Sequence, residues 1–137
     1  FIHTYAGVEL RLKMHEIMTK QGYEEETGKA KITSGYNLPA KYVLHTVGPI
    51  IQWKVTREDE NLLASCYKEC LKLAADTGVE SIAFCCLSTG VFRFPQQRAA
   101  EIATEKVMQF LKKDDRIKKV IFNVFKNEDL EIYSHLL

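Results

Sequence analysis

Continuous apolar runs and stretches of regularly spaced apolar residues follow one another along the chain. Apolar runs bounded by Gly, Pro or charged residues predict three strands, at 41–47, 81–86 and 120–125. Apolar residues at spacings of three and four predict four helices, at 5–20, 60–75, 96–112 and 127–137. Strands that alternate with helices of this length form a mostly parallel sheet with helices on both faces, so the pattern predicts an α/β fold.

The stretch 81–95 is the one around which the predicted elements are arranged. Its apolar half, 81–86, is typical of a strand that is buried on both faces of a sheet. The small polar turn 88–90 follows, and a helix begins after Pro95. A strand, a loop of small residues and a helix N-terminus in this order expose backbone N–H groups that suit a phosphate. A plain strand-to-helix connection fits the same local pattern equally well.

Three loops are expected to line a single crevice. In parallel sheets ligands bind beyond the carboxyl ends of the strands, and here these ends precede the loops after Val47, Cys86 and Phe125. In the second loop Phe92 offers an aromatic face for a sugar or a base. Phe125 could stack on a planar ring, although the pattern alone favours packing in the core. Asn127 is the predicted N-cap of the last helix.

Composition and charge narrow the classes of function. The chain has 137 residues, the length of one ordinary domain, and 19 basic against 18 acidic residues give a formal net charge of +1. So small a charge does not attract nucleic acid or an anionic membrane, and no signal peptide or membrane-spanning run is present. The four cysteines form neither a disulfide framework nor a zinc pattern. We therefore expect a monomeric, cytoplasmic protein with reduced thiols. The first residue is Phe1 and not Met, so we expect a piece of a longer chain.

No residue pattern in the sequence predicts a catalytic residue or a metal ligand. His45 lies inside an apolar strand and is interpreted as a core residue. Cys86 lies near a strand end, but no His and Asp or Asn arrangement supports a nucleophilic role for it. The phosphate-binding Gly-x-x-x-x-Gly-Lys-Ser/Thr and the dinucleotide-binding Gly-x-Gly-x-x-Gly motifs are both absent from the sequence.

Three collinear motifs, at 26–33, 36–49 and 88–92 with Pro95, closely resemble the macrodomain family. The resemblance is to its ADP-ribose hydrolase (MacroD-like) branch and covers about residues 2–133. Within this branch, residues 36–39 and 92–95 are most similar to a bacterial zinc-containing subgroup.

The resemblance implies a fold and a ligand. The fold is a three-layer α/β/α sandwich with a mostly parallel central sheet, of which the N-terminal strands are missing here, so that 1–137 is a single, partial macrodomain. The implied ligand is ADP-ribose or an ADP-ribosylated protein, and Phe125 corresponds to the aromatic residue that stacks on the adenine. The loop that wraps the diphosphate and the distal ribose corresponds to Ser88, Thr89, Gly90, Val91, Phe92 and Arg93.

The resemblance also implies residues that this sequence lacks. The family's Asn-Ala-Ala-Asn motif and the Cys/His loop of the zinc subgroup are expected upstream of Phe1, outside these 137 residues, so no catalytic or zinc-binding residue is assigned here and zinc is expected only in the complete protein. We expect the complete protein to hydrolyse ADP-ribose from modified protein side chains, and this chain alone to be inactive. The alternatives are a non-catalytic ADP-ribose-binding module and a nucleic-acid or nucleotide-phosphate binder of the same fold, which the net charge disfavours.

Overall fold

The computed structural model describes residues 12, 13, 15–17 and 26–137. Four strands and three helices are described in full: β1 (Ala30–Ser34), β2 (Tyr42–Thr46), α1 (Arg57–Thr77), β3 (Ser81–Phe84), α2 (Gln96–Lys113), β4 (Lys119–Phe122) and α3 (Asn127–Leu136). A single 3-10 turn, Gly90–Phe92, lies between β3 and α2. The helix predicted at 5–20 lies mostly outside the described residues; those of its residues that are described have helical backbone. The mixture of strands and helices confirms the predicted α/β class.

The strand β1 was not predicted, and it forms an antiparallel hairpin with β2. The register pairs Ile32 with Leu44 and Ser34 with Tyr42. The connection over residues 35–41 is shorter than the dozen or so residues that a parallel crossover needs. The strands β3 and β4 pair in parallel, as predicted, with Ile82 opposite Val120. The described part of the chain therefore contains one antiparallel and one parallel pair.

Two predicted features of the strands β3 and β4 are wrong. The prediction that β3 is buried on both faces fails, because Ile82 and Phe84 are buried whereas Ser81 and Ala83 are exposed. Alternate side chains of a strand point to opposite faces, so only one face of β3 is buried. The predicted strands at 81–86 and 120–125 both end earlier, at Phe84 and at Phe122. The chain therefore leaves the sheet before it reaches the end of each apolar run.

The ends of the helices follow from capping groups. At the start of α1, Thr56 Oγ1 accepts a hydrogen bond from Asp59 N (3.1 Å), and Asp59 Oδ2 accepts one from Thr56 N (3.0 Å). Gly78, with φ 89°, ends the same helix. The prediction of Asn127 as an N-cap is wrong by one residue. Lys126 is the N-cap of α3, because its backbone is still extended, and Asn127 is the first helical residue.

A row of aromatic rings joins the parallel strands to the helices on their covered face. The ring centroids of Tyr67 and Phe84 lie 4.9 Å apart, those of Phe84 and Phe122 lie 6.3 Å apart, and those of Phe122 and Tyr133 lie 5.0 Å apart. These rings connect α1, β3, β4 and α3 in turn and bury large apolar areas. They hold β3 and β4 in register between two helices. None of the described helices combines the length and the apolar content that a membrane-spanning helix requires.

We expect Thr56→Ala to lower the free energy of unfolding by about 1 kcal/mol, because it leaves the amide of Asp59 without its capping oxygen. Thr77→Ala in the last turn of α1 is the matched control. The Thr77 hydroxyl only donates to the Leu73 carbonyl (2.7 Å), and alanine favours the helix. Urea denaturation followed by circular dichroism measures both variants. Equal losses of stability would contradict the capping role of Thr56.

Candidate functional site

The loop between β3 and α2 has an unusual backbone. Ser88 (φ 62°), Gly90 (φ 70°) and Arg93 (φ 66°) all lie in the left-handed region, which residues other than glycine rarely adopt. Two hydrogen bonds hold this conformation: Phe94 N donates to Ser88 O (2.9 Å), and Arg93 N donates to Gly90 O (3.0 Å). The loop is thus a closed, strained turn, a type of backbone that often occurs at binding sites.

The outer part of this loop is open to a ligand. Gly90 is exposed, and a Cβ atom built on it would meet no atom within 4 Å. The glycine is therefore required for its positive φ and not for lack of space. Thr89 precedes the 3-10 turn but makes no side-chain cap. The first N–H groups of such a turn have no acceptor within it, so they can donate to an anion.

The inner part of the loop packs against the chain that follows β2. The hydroxyl of Ser88 is buried and has no hydrogen-bond partner among the described residues. A Cβ atom at Gly48 would lie 1.8 Å from Ser88 Oγ, so only glycine fits at position 48. Ile51 N also donates to Phe92 O (2.9 Å). The two chain segments therefore fix each other's positions.

The structure brings the six predicted loop residues together in one continuous turn. The side chain of Ser88 is buried, those of Thr89 and Phe92 are half-buried, and Arg93 is exposed. The backbone of Val91 lies in the 3-10 turn.

Phe125, which is separate in sequence from this loop, lies three residues beyond β4. The sequence pattern alone favoured core packing for this ring, and that interpretation is wrong, because 98% of Phe125 is exposed. Its ring is free to stack on a ligand. Since β3 and β4 are parallel neighbours, the loop at 88–93 and Phe125 both follow the carboxyl edge of the same strand pair.

A buried carboxylate that the sequence did not single out lies near the same edge. Asp129, in the first turn of α3, is buried among Cys86 and Tyr133. Burial, and then the negative charge of Asp129, raises the pKa of the Cys86 thiol to about 11. Cys86 is therefore a neutral thiol near pH 7 and is not an activated nucleophile. The one sequence signal for Asp129 is its position four residues before Tyr133, on the same face of the helix.

Two other described cysteines are neutral core thiols, and the described residues contain no cluster of metal ligands. Burial raises the pKa of the Cys70 thiol to about 12 and also raises that of Cys66, as expected for small core residues. In the described ranges, 12, 13, 15–17 and 26–137, no group of three or more His, Cys, Asp or Glu side chains could hold a metal ion. These residues therefore do not fit a zinc ion.

A cavity lies at the other end of the parallel strands. It has a volume of about 310 Å³ and is lined by Ala75, Gly78, Val79, Glu80, Asp115, Arg116 and Lys118. Glu80 and Lys118 directly precede β3 and β4, so this is the amino edge. There Arg116 pairs with Asp114 (2.7 Å) and Asp76 (3.0 Å), and its hydrogen bonds lower the pKa of Asp114 to about 2. The charge of Arg116 is thus already matched by protein carboxylates.

Comparisons with known proteins agree on one family. The family model described as "Macro domain" matches residues 1–103. A protein-ADP-ribose hydrolase of Treponema medium is 57% identical over 136 residues, which are 99% of this chain and 52% of that protein. The chain spans about half the length of the curated relatives it matches.

Two solved structures extend the comparison to the fold. The Oceanobacillus iheyensis macrodomain with ADP has a TM-score of 0.90 at 39% identity, covering 98% of this chain and 70% of that chain. The Trypanosoma brucei macrodomain in complex with ADP-ribose has a TM-score of 0.82 at 34% identity, covering 98% and 54%. The family resemblance and the α/β/α class drawn from the motifs are confirmed. The assignment to the zinc-containing subgroup stays a prediction.

We expect Gly48→Ala to destabilise the protein by about 1–3 kcal/mol, because the new methyl group overlaps Ser88 Oγ. Ser88→Ala removes that oxygen, so Gly48→Ala should cost less in the Ser88→Ala background, with a coupling energy of at least about 0.5 kcal/mol. Thr89→Ala is the matched control and should not relieve the clash. Denaturation of the single and double variants measures the coupling, and additive losses would contradict the contact.

Proposed function

Because the chain belongs to the Macro domain family, we propose that its carboxyl-edge loop and Phe125 bind ADP-ribose, and that the whole protein hydrolyses ADP-ribose from modified protein side chains. The supporting comparisons are a relative named protein-ADP-ribose hydrolase and a structural neighbour in complex with ADP-ribose. The observation that carries the proposal is the common edge of β3 and β4, where a strained loop and a fully exposed ring follow adjacent strands.

Each part of ADP-ribose has a proposed partner of suitable chemistry. The backbone N–H groups of 89–92 donate to the diphosphate, and the exposed guanidinium of Arg93 adds a positive charge beside it. The half-buried ring of Phe92 packs against the distal ribose. Phe125 stacks on the adenine, which would cover its exposed face.

The role we propose for these residues in hydrolysis is positioning. Water attacks the anomeric carbon of the distal ribose, the bond from that carbon to the protein side chain breaks, and positive charge develops on the sugar ring. A rigidly held diphosphate keeps the ribose in one orientation and places negative charge near the developing positive charge. The closed backbone of the loop at 88–94 provides this rigidity, because its turn is already formed before the ligand binds.

A second candidate function is an ADP-ribose-binding module without turnover. The observation in its favour is that the thiol of Cys86, two residues before the candidate loop, stays protonated near neutral pH. For either function we propose a monomeric, cytoplasmic protein whose partners are ADP-ribosylated proteins and not nucleic acids. The net charge of +1 supports this choice of partner.

Incubation of an ADP-ribosylated protein with the whole protein, and separately with the 137-residue chain, tests the hydrolase proposal. We expect the whole protein to release ADP-ribose and the 137-residue chain to release none, because the role we propose for the described residues is positioning. Chromatography of the released nucleotide measures the rate. If the whole protein binds ADP-ribose but releases none, the binding module is correct and the hydrolase proposal fails.

We expect Phe125→Ala to weaken the binding of ADP-ribose by about 5- to 150-fold, since the loss of one base-stacking ring costs about 1–3 kcal/mol. Ile121→Ala, which removes an exposed apolar side chain from β4, is the matched control and should leave the affinity unchanged. Isothermal titration calorimetry measures both variants. An unchanged affinity in Phe125→Ala would rule out adenine stacking by this residue.

A further inference from the structure

A second fully exposed aromatic ring, that of Trp53, lies on a segment that is hydrogen-bonded to the candidate loop. Trp53 is 96% exposed and occupies a bend at 52–54, between β2 and α1. Ile50, three residues earlier, is also exposed, and Lys54 directly follows Trp53 and carries a positive charge. A tryptophan that makes almost no contact with its own protein adds little to stability. Exposed tryptophans of this kind are instead typical of the energetic centres of protein interfaces.

The segment that carries Trp53 is held firmly against the candidate loop. Ile51 is buried in the core, and its N–H donates to Phe92 O (2.9 Å). Gly48 packs directly on Ser88, and Val55 contacts the core at the other end of the bend. The Cα atoms of Ile51 and Trp53 are two residues apart and therefore at most about 7 Å from each other. The backbone that carries Trp53 is thus held in a fixed position next to the backbone of Phe92.

The position of this backbone segment determines which part of a substrate Trp53 can contact. In the proposed function, Phe92 packs against the distal ribose and Phe125 stacks on the adenine. The modified protein side chain is joined to the distal ribose, so the polypeptide leaves the site on the Phe92 side. Trp53 is attached to that side through the bond between Ile51 and Phe92.

We propose that Trp53 is a specificity residue that contacts the polypeptide next to the ADP-ribosylated residue of a protein substrate. This inference rests on the proposed function and adds to it a contact with the protein part of the substrate. An indole ring suits this partner, since it packs on apolar side chains and on the backbone, donates one hydrogen bond, and attracts cationic side chains to its face. Free ADP-ribose lacks the polypeptide and would not use the contact.

The test compares two ligands in three variants of the whole protein. The ligands are free ADP-ribose and a peptide that carries ADP-ribose through a hydrolysis-resistant linkage. For Trp53→Ala we expect the affinity for ADP-ribose to stay unchanged and the affinity for the peptide to fall by about 5- to 30-fold, as for an interface residue worth 1–2 kcal/mol. Phe125→Ala, the matched control, should lower the affinity for both ligands by the same factor. Trp53→Phe should recover part of the lost affinity.

Several outcomes would overturn the inference. If Trp53→Ala lost affinity for both ligands equally, the ring would act in the ADP-ribose site or in stabilising the fold. If its affinity for both ligands were unchanged, Trp53 would not contact the polypeptide. Sedimentation measures the molecular mass of the unliganded proteins. A lower mass for Trp53→Ala than for the unaltered protein would show that the ring contacts a second copy of the chain. Failure of the unaltered protein to bind ADP-ribose would refute the proposed function itself, and the inference with it.

Discussion

The parallel pairing of β3 and β4 is the interaction on which the candidate site depends. Ile82 pairs with Val120 and Phe84 with Phe122, and both strands leave the sheet at the same edge. The aromatic row from Tyr67 to Tyr133 holds this pairing between α1 and α3. A slip of one residue would exchange the buried and exposed faces, which would put Phe84 in solvent. The register therefore fixes where the loop at 88–93 and Phe125 stand relative to each other.

The local patterns of the sequence predict the helices well and the sheet only in part. The helices α1 and α2 have a regular apolar stripe, and their predicted ranges differ from the observed ones mainly at the caps. The strand β1 has no such pattern, because Lys31 interrupts a short and only weakly apolar run. Its strand conformation depends on its pairing with β2. The exposed face of β3 could not be predicted, since burial depends on which elements cover a strand and not on the strand's own composition.

The sequence predicts the position of the candidate loop but not the contacts that the loop makes with distant segments. The order of strand, small residues and helix fits an anion site and a plain connection equally well. The family resemblance favours the anion site, assigns it to 88–93 and adds Phe125, for which the local pattern favours the core. The contact of Gly48 with Ser88, the anchoring of Trp53 through Ile51, and the burial of Asp129 all join segments that are 40 or so residues apart. No local pattern encodes such contacts, because they arise only when the chain is folded.

Hydrogen–deuterium exchange with and without ADP-ribose tests the central claim most directly, since the claim concerns which edge of β3 and β4 binds the ligand. The account predicts slower exchange at the backbone amides of 89–92 and in the segment around Phe125, because these groups are covered or hydrogen-bonded in the complex. The amides around Gly78 and Arg116, at the cavity on the opposite edge, should not change. Protection at that cavity with none at the loop would contradict the account.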